Sequence, residues 1–199
     1  MESEFLFRIL LPVLIAVFVI HRSYYTKKYG ESATGSTLKK RDEGLASKLA
    51  ALLGLVGFLA TILYFINPGW VSWASLLLPA WARWVGVGVA LSGFALLQWA
   101  QNTLGRNWSD TPRMMEEQVL VTSGPYRWVR HPIYTAFLLI LGSSLLISSN
   151  ALIGLAWAGM ALIEIVSRIG FEEALMFEYF GKQYREYVKR TGRLFPKIG

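Results

Sequence analysis

Between Gly124 and Tyr134 the chain reads Gly-Pro-Tyr-Arg-Trp-Val-Arg-His-Pro-Ile-Tyr, and further along come Glu164, Arg168, Glu172 and Glu173. Nowhere else do turn formers, aromatic rings, cations and a histidine converge beside apolar runs. Gly124-Pro125 predicts a turn, because proline fixes its own φ and glycine takes backbone angles that other residues avoid. His131-Pro132 predicts a helix start, with Pro132 at the first helical position and His131 at the N-cap. The unpaired N–H groups and the positive dipole end of that helix favour an anion, and Arg130 adds charge beside them. Tyr126, Trp128 and Tyr134 offer faces on which a heterocycle or a cation can stack. Glu164, Arg168 and Glu172 are spaced four apart, so they share one helix face. Glu164 lies deepest in an apolar run and needs a partner, for which Arg168 is the candidate. Taken singly these side chains read as interface anchors of the kind found at many span ends; taken together on one turn they read as a binding site.

The elements that must position them are membrane helices. At 199 residues the chain is long enough for one domain. A hydrophobic content of 54%, eight tryptophans and a mean hydropathy of +0.40 are too apolar for an ordinary soluble one. Apolar runs at Phe5–Ile20, Leu49–Ile66, Trp84–Ala100, Ile133–Ser148 and Ala151–Ile169 each approach the ~20 residues of a spanning helix. Five spans follow. Asn150 between the last two leaves room only for a tight antiparallel hairpin, which returns Arg168 and Glu172 to the side where the His131 turn lies. Beyond it, Phe171, Ala174, Leu175, Phe177, Phe180, Tyr184, Tyr187 and Val188 recur at helical spacing opposite Glu173, Lys182, Gln183, Arg185, Glu186, Lys189 and Arg190. This predicts an amphipathic helix, interrupted near Gly181, that packs on the surface.

Cations set the orientation. The Arg22–Lys48 connection carries seven Lys and Arg, the Gln101–Pro132 connection carries Arg106, Arg113, Arg127 and Arg130, and seven more follow from Arg168 onward, which leaves only Arg8 and Arg83 for the opposite face. With five spans the three basic segments share one side, cytoplasmic by the positive-inside rule, and the N-terminus with Glu2 and Glu4 lies outside. The net charge of +7 is therefore a topology signal and not a nucleic-acid signal. Phe5–Ile20 reads as a retained anchor, for it has an acidic start and no small-residue cleavage pattern. Gly54, Gly57, Gly86, Gly88, Ser92 and Gly93 are small residues that let helices approach closely in lipid. Gly86-Val-Gly88 is no dinucleotide fingerprint: it sits inside an apolar span and follows no strand. The absence of cysteine excludes disulfides, thiolate metal sites and a cysteine nucleophile, and no other metal set is expected.

At Gly-Pro-Tyr, Arg-His-Pro-x-Tyr, Glu-Glu-x-Leu and Phe-Gly-x-x-Tyr-x-x-Tyr the chain resembles the isoprenylcysteine carboxyl methyltransferase and phospholipid methyltransferase superfamily of integral membrane enzymes. The resemblance runs from about Leu104 to Pro196 and leaves the N-terminal spans as topology alone. It implies an all-α integral membrane protein, residues 1–199 forming one methyltransferase domain, with three N-terminal spans in 1–100 and a catalytic half in 101–199. It also implies a cytoplasmic cofactor pocket for S-adenosylmethionine. Carried onto this chain, it gives cofactor contacts to Gln118, Val119, Leu120, Val121, Tyr126, His131, Pro132, Ile133 and Tyr134, and puts Arg168 and Glu172 at the methyl acceptor. Some relatives carry His at the position of Gln118, so backbone contacts are what the resemblance implies there. The His131 helix start together with Arg130 suits the donor's carboxylate. A carboxylate acceptor would be oriented by Arg168, with Glu172 fixing that arginine; an amine acceptor would give its proton to Glu172. The expected partners are membrane lipids and a lipidic or prenylated acceptor entering sideways from the bilayer. Competing readings are a nicotinamide-dependent membrane reductase of the sterol reductase type, a phospholipid N-methyltransferase, and a non-catalytic scaffold.

Overall fold

A computed structural model describes residues 2–30, 44–107 and 119–197. In chain order the helices are α1 (Glu2–Gly30), α2 (Leu45–Ile66), α3 (Ala80–Leu104), α4 (Pro132–Gly142), α5 (Ser144–Ser148), α6 (Ala151–Phe180) and α7 (Lys182–Arg190). Short 3₁₀ turns occupy Pro68–Ala74, Gly105–Asn107 and Gly124–Arg127. Among the described residues there is no β-sheet, only isolated bridges. The five expected passes are all present as helices, and they exceed the apolar cores from which they were read. Four of them are long and apolar enough to cross a membrane.

The fourth pass departs from expectation. Pro132–Ser148 is a shorter apolar helix, ~25 Å at 1.5 Å per residue against a hydrocarbon core of ~30 Å. The helix is interrupted at Ser143, between α4 and α5. Serine hydroxyls turn back onto the backbone there: Ser143 Oγ donates to the Ile140 carbonyl at 2.7 Å and Ser144 Oγ to the Leu141 carbonyl at 2.6 Å. Such back-bonding competes with the helical ladder.

The hairpin tip is stitched to the α2–α3 connection. Ser149 takes a left-handed conformation at φ 52°, and the Asn150 side chain caps α6 by accepting from the Ile153 N–H. The same side chain donates to the Val71 carbonyl at 2.7 Å, and the Leu76 N–H donates to the Ser149 carbonyl at 2.8 Å. This end of the molecule is thus closed by backbone and amide hydrogen bonds, which lipid cannot replace.

Core contacts run between α2 and α6 and between α3 and α4 through the small residues. A Cβ at Gly57 would stand 3.1 Å from the Trp157 ring, at Gly86 2.7 Å from Leu146, and at Gly93 2.8 Å from Ile140. Gly88 has nothing within 4 Å and Ser92 is exposed, so two of the expected packing positions lie outside the interfaces. Trp157 completes its seat by donating its indole N–H to Thr61 Oγ1 at 3.1 Å.

The two cations on the tip side are built in. Arg8 donates to the Phe65 and Ile66 carbonyls at 2.6 and 2.7 Å, closing the carbonyl end of α2 instead of reaching for an interface. Arg83 is buried over the Phe7 ring at 4.1 Å, pairs with Glu4, and donates to Tyr64 Oη at 2.6 Å and to the Ile147 carbonyl at 2.9 Å. An arginine so far inside apolar surroundings requires this full set of partners.

Candidate functional site

At the opposite end from the hairpin tip, α1, α4, α6 and α7 enclose a cavity of about 390 Å³. Gly124 enters the preceding turn at φ 55°, and Gly124–Arg127 then winds as the expected 3₁₀ turn, burying Pro125 and Tyr126. A Cβ at Gly124 would stand 2.6 Å from Thr103 Oγ1. Gly124→Ala is therefore expected to cost ~1–3 kcal/mol from left-handed strain and overpacking together. It should lower the thermal midpoint of the detergent-solubilised protein by several degrees; an unchanged midpoint would show that the turn relaxes freely.

His131 caps α4 as expected, with Pro132 at the first helical position. What holds it there comes from beyond α7. The His131 N–H donates to the Arg193 carbonyl at 3.1 Å, the Arg130 N–H to the Gly192 carbonyl at 2.9 Å and the Gly192 N–H to the Trp128 carbonyl at 3.0 Å, forming a short parallel bridge. Thr135 Oγ1 adds a bond to the Leu194 carbonyl at 2.6 Å. Tyr187 Oη donates to the Tyr126 carbonyl at 2.6 Å.

The carboxylates divide the work. Glu172 accepts the hydroxyl hydrogen bond of Tyr134, and its Oε2 lies 3.5 Å from His131 Nδ1. Glu173 accepts from Arg130 Nε at 2.9 Å and from Arg193 Nη2 at 2.5 Å; its Oε1 lies 3.5 Å from His131 Nε2. His131 Nδ1 and Nε2 thus each face a carboxylate, and Nε2 is buried away from solvent. Arg168 Nε donates to Glu164 Oε2 at 2.9 Å, the pairing expected from their spacing. Glu172, expected to fix Arg168, stands close enough for its charge to act on that arginine, and it also accepts from Tyr134 in the first turn of α4, which joins the two helices of the hairpin at the cavity wall.

Burial alone would push the His131 pKa down, but the carboxylates of Glu172 and Glu173 outweigh it and hold the ring above its ordinary value. The sign follows from linkage: a raised folded-state pKa contributes stability that is fully present below the unfolded value of ~6.5 and is lost as pH rises through the folded value. The difference in thermal midpoint between the native protein and His131→Gln should accordingly be largest near pH 6 and shrink toward pH 9. A difference independent of pH would show that the ring is neutral throughout. The Tyr126 hydroxyl, driven up chiefly by burial, stays a neutral phenol across this range.

Val119, Leu120, Val121, Tyr126, Arg130, His131, Ile133, Tyr134, Arg168 and Glu172 all line the one cavity, so the two distant motifs do meet. Pro132 is buried behind the wall, and Gln118 lies outside the described residues. Val119 has no regular secondary structure, and its N–H donates to Asn107 Oδ1 at 3.0 Å.

Three features escaped sequence reasoning. Phe18 and Arg22 of α1 line the cavity, so the N-terminal spans supply more than topology: Phe18 meets Phe137 edge-on at 5.1 Å, and the Arg22 guanidinium stands 5.6 Å from the same ring. Their one-turn spacing at the end of the first apolar run was the available signal. Glu173 was placed on the solvated face but is buried; it lies four residues after Ile169 and eight after Ile165, both buried, which is the register of a core position. The amphipathic pattern is likewise split: residues through Phe180 continue α6, with Ala174 and Phe177 exposed, while Tyr184 and Tyr187 of α7 pack inward.

Similarity to known proteins converges on these elements. The family model described as the isoprenylcysteine carboxyl methyltransferase (ICMT) family matches residues 84–178, from α3 through Glu173. The chain is 28% identical over 195 residues to protein-S-isoprenylcysteine O-methyltransferase B of Arabidopsis thaliana, covering 96% of this chain and 95% of that protein. It is 30% identical over 152 residues to protein-S-isoprenylcysteine O-methyltransferase A of the same plant, covering 75% and 73%. The solved structure of a eukaryotic intramembrane Ras methyltransferase, ICMT, superimposes with a TM-score of 0.57 at 25% identity. That match covers 80% of this chain and 55% of the other, so the chain spans about half the solved protein's length.

Proposed function

Because the chain belongs to the isoprenylcysteine carboxyl methyltransferase family, we propose that it transfers a methyl group from S-adenosylmethionine to the carboxylate of a prenylated cysteine. It is an integral membrane protein and a methyltransferase; donor, acceptor, site residues and orientation are the parts proposed. The observation that carries the reading is the meeting of Tyr126, His131 and Tyr134 with Arg168 and Glu172 around one cavity.

The residues present fit the donor. It brings an aromatic ring, a carboxylate and a cationic sulfonium; the cavity offers the rings of Tyr126 and Tyr134, the start of α4 with Arg130 and His131 on its wall, and the Glu172 carboxylate. A volume of about 390 Å³ lies within the ~300–1,000 Å³ range of small-molecule sites. Val119, Leu120 and Val121 flank the same space, and their backbone groups suit the ring's edge. Once bound, the donor supplies an electrophilic methyl group.

The chain's own part is alignment. Arg168, fixed by Glu164, holds the acceptor carboxylate through charge-assisted hydrogen bonds. A carboxylate is already a nucleophile at neutral pH, so no side chain need remove a proton. Tyr134 and Glu172 keep α4 and α6 at constant separation while the two reactants are brought into line, and lining up reactants is the main source of acceleration for such a displacement. Phe18, Phe137 and the wall of α6 exclude water. The three basic connections define a cytoplasmic face, so the N-terminus lies outside and the cavity mouth inside.

Family membership sets aside the reductase, and the relatives found are O-methyltransferases, which disfavours the phospholipid N-methyltransferase. The test is calorimetric titration of the detergent-purified protein with S-adenosylhomocysteine, beside His131→Ala, followed by transfer of labelled methyl to N-acetyl-S-farnesylcysteine. Saturable binding, weakened in the variant, and base-labile label in the acceptor are expected. Folded protein that binds no S-adenosylhomocysteine would overturn the donor assignment, and label resistant to base would overturn the ester.

A further inference from the structure

The cavity continues well beyond its charged mouth. Beyond Arg168, its partner Glu164 and Glu172, the remaining lining includes the apolar Phe18, Phe137, Leu141, Ile165 and Ala161 and reaches Met160. Arg168 and Met160 are eight residues apart on one helix, ~12 Å at 1.5 Å per residue.

Met160 is seated in a notch on α2. A Cβ built at Gly54 would stand 2.8 Å from Met160 Sδ and 3.7 Å from its Cγ, so the thioether occupies space that any other residue at 54 would fill. The helices around it are already close: the Cβ of a side chain at Gly57 would touch the Trp157 ring at 3.1 Å, and one at Gly159 would touch Leu53 at 3.1 Å. With its neighbours locked, a thioether displaced from the notch moves toward the cavity that it lines on its other side. Methionine has the rotamers to do so.

We propose that Met160, held back by Gly54, is the floor that sets the length of isoprenoid chain the site accepts. The inference rests on the prenylcysteine reading and adds to it the selectivity among such acceptors. With the acceptor carboxylate at Arg168, the ~12 Å to Met160 is taken first by the cysteine's Cα, Cβ and Sγ, and the prenyl chain must fit the length that remains. A longer chain must push Met160 aside or leave between the helices. Gly54 belongs to an element that supplies none of the charged groups, so it acts on length without touching the chemistry.

The test compares the full chain with Met160→Ala and Gly54→Ala on N-acetyl-cysteines bearing geranyl, farnesyl and geranylgeranyl groups. Both kcat/KM and ligand-induced thermal stabilisation are read, with S-adenosylhomocysteine binding as the control for an intact donor site. Met160→Ala should raise the geranylgeranyl-to-farnesyl ratio of kcat/KM about tenfold, the effect of a small volume change in an apolar pocket. Gly54→Ala should lower that ratio and begin to select against farnesyl relative to geranyl. Ratios equal to those of the native protein in both variants, with turnover intact, would overturn the floor and leave the proposed function standing. If no length is turned over or stabilises the native protein, the prenylcysteine reading falls and the floor with it. Should Gly54→Ala not fold, the Met160→Ala ratio decides alone.

Discussion

Arg168→Ala is expected to lower kcat/KM for a prenylcysteine acceptor by ~10²–10³-fold, corresponding to ~2.7–4 kcal/mol of transition-state stabilisation. The donor's affinity should stay within about twofold. The argument is geometric. Arg168 lines the cavity, and its Nε donates to Glu164 at 2.9 Å, which holds the guanidinium in place at the cavity wall. Lysine cannot reproduce that fork, since it offers a point charge on a flexible stem, so Arg168→Lys should recover only a small part of the activity. Glu164→Gln should cost less than Arg168→Ala, because it weakens the arginine's anchor without removing its charge. Radiolabel transfer at saturating donor, with S-adenosylhomocysteine titration alongside, separates the effects. Equal loss of donor binding and turnover in Arg168→Ala would move this residue from the acceptor to the donor, and normal turnover would remove it from the mechanism.

The second large effect concerns stability. Glu173 and Arg130 are both 8% exposed in their side chains, and His131 sits between Glu172 and Glu173 at 3.5 Å from each. Removing the carboxylate in Glu173→Ala strands the buried Arg130 charge, which should destabilise the protein by ~3–5 kcal/mol. For a chain of this size that is a fall in thermal midpoint of roughly 6–20 °C. Arg193, at 58% exposed, contributes little by comparison, so Arg193→Ala should shift the midpoint by only a degree or two. Thermal unfolding in detergent measures both. A Glu173→Ala midpoint within two degrees of the native one would show that Arg130 reaches solvent when unpaired, and the buried network would then carry no stability.

The passes and the hairpin were legible because apolar runs, turn formers and helix-start signals are local. Asn150 alone told that the fifth pass must return beside the fourth, and the His131-Pro132 pair told where α4 begins. The meeting of Arg168 and Glu172 with the Tyr126–Tyr134 turn followed from that hairpin. Through-space choices were not legible. Nothing near Arg8 or Arg83 says that one closes the end of α2 and the other is caged by Glu4 and Tyr64, since Phe65 lies 57 residues from Arg8 and Glu4 79 residues from Arg83. Glu172 and Glu173 are identical in type and adjacent, yet one faces the cavity and the other the core; the angle of the helix decides, and a pattern weighted by polarity assigned Glu173 to solvent. The interruption at Ser143 was hidden because serine occurs both within helices and at their ends.

The bridge between residues 128–131 and 192–194 joins segments made at different times. Arg130 and Thr191 are 61 residues apart, which at ~5–20 residues per second is roughly 3–12 s of translation. Throughout that interval the His131 turn lacks the backbone partners supplied by Gly192 and Arg193, although Glu173, 43 residues after Arg130, is made sooner. The membrane passes can therefore be threaded and packed while the cavity end is still unformed. Competence arrives late in biosynthesis, and a lesion confined to residues 191–194 would yield an inserted, helical, inactive protein that looks sound to any inspection of its spans.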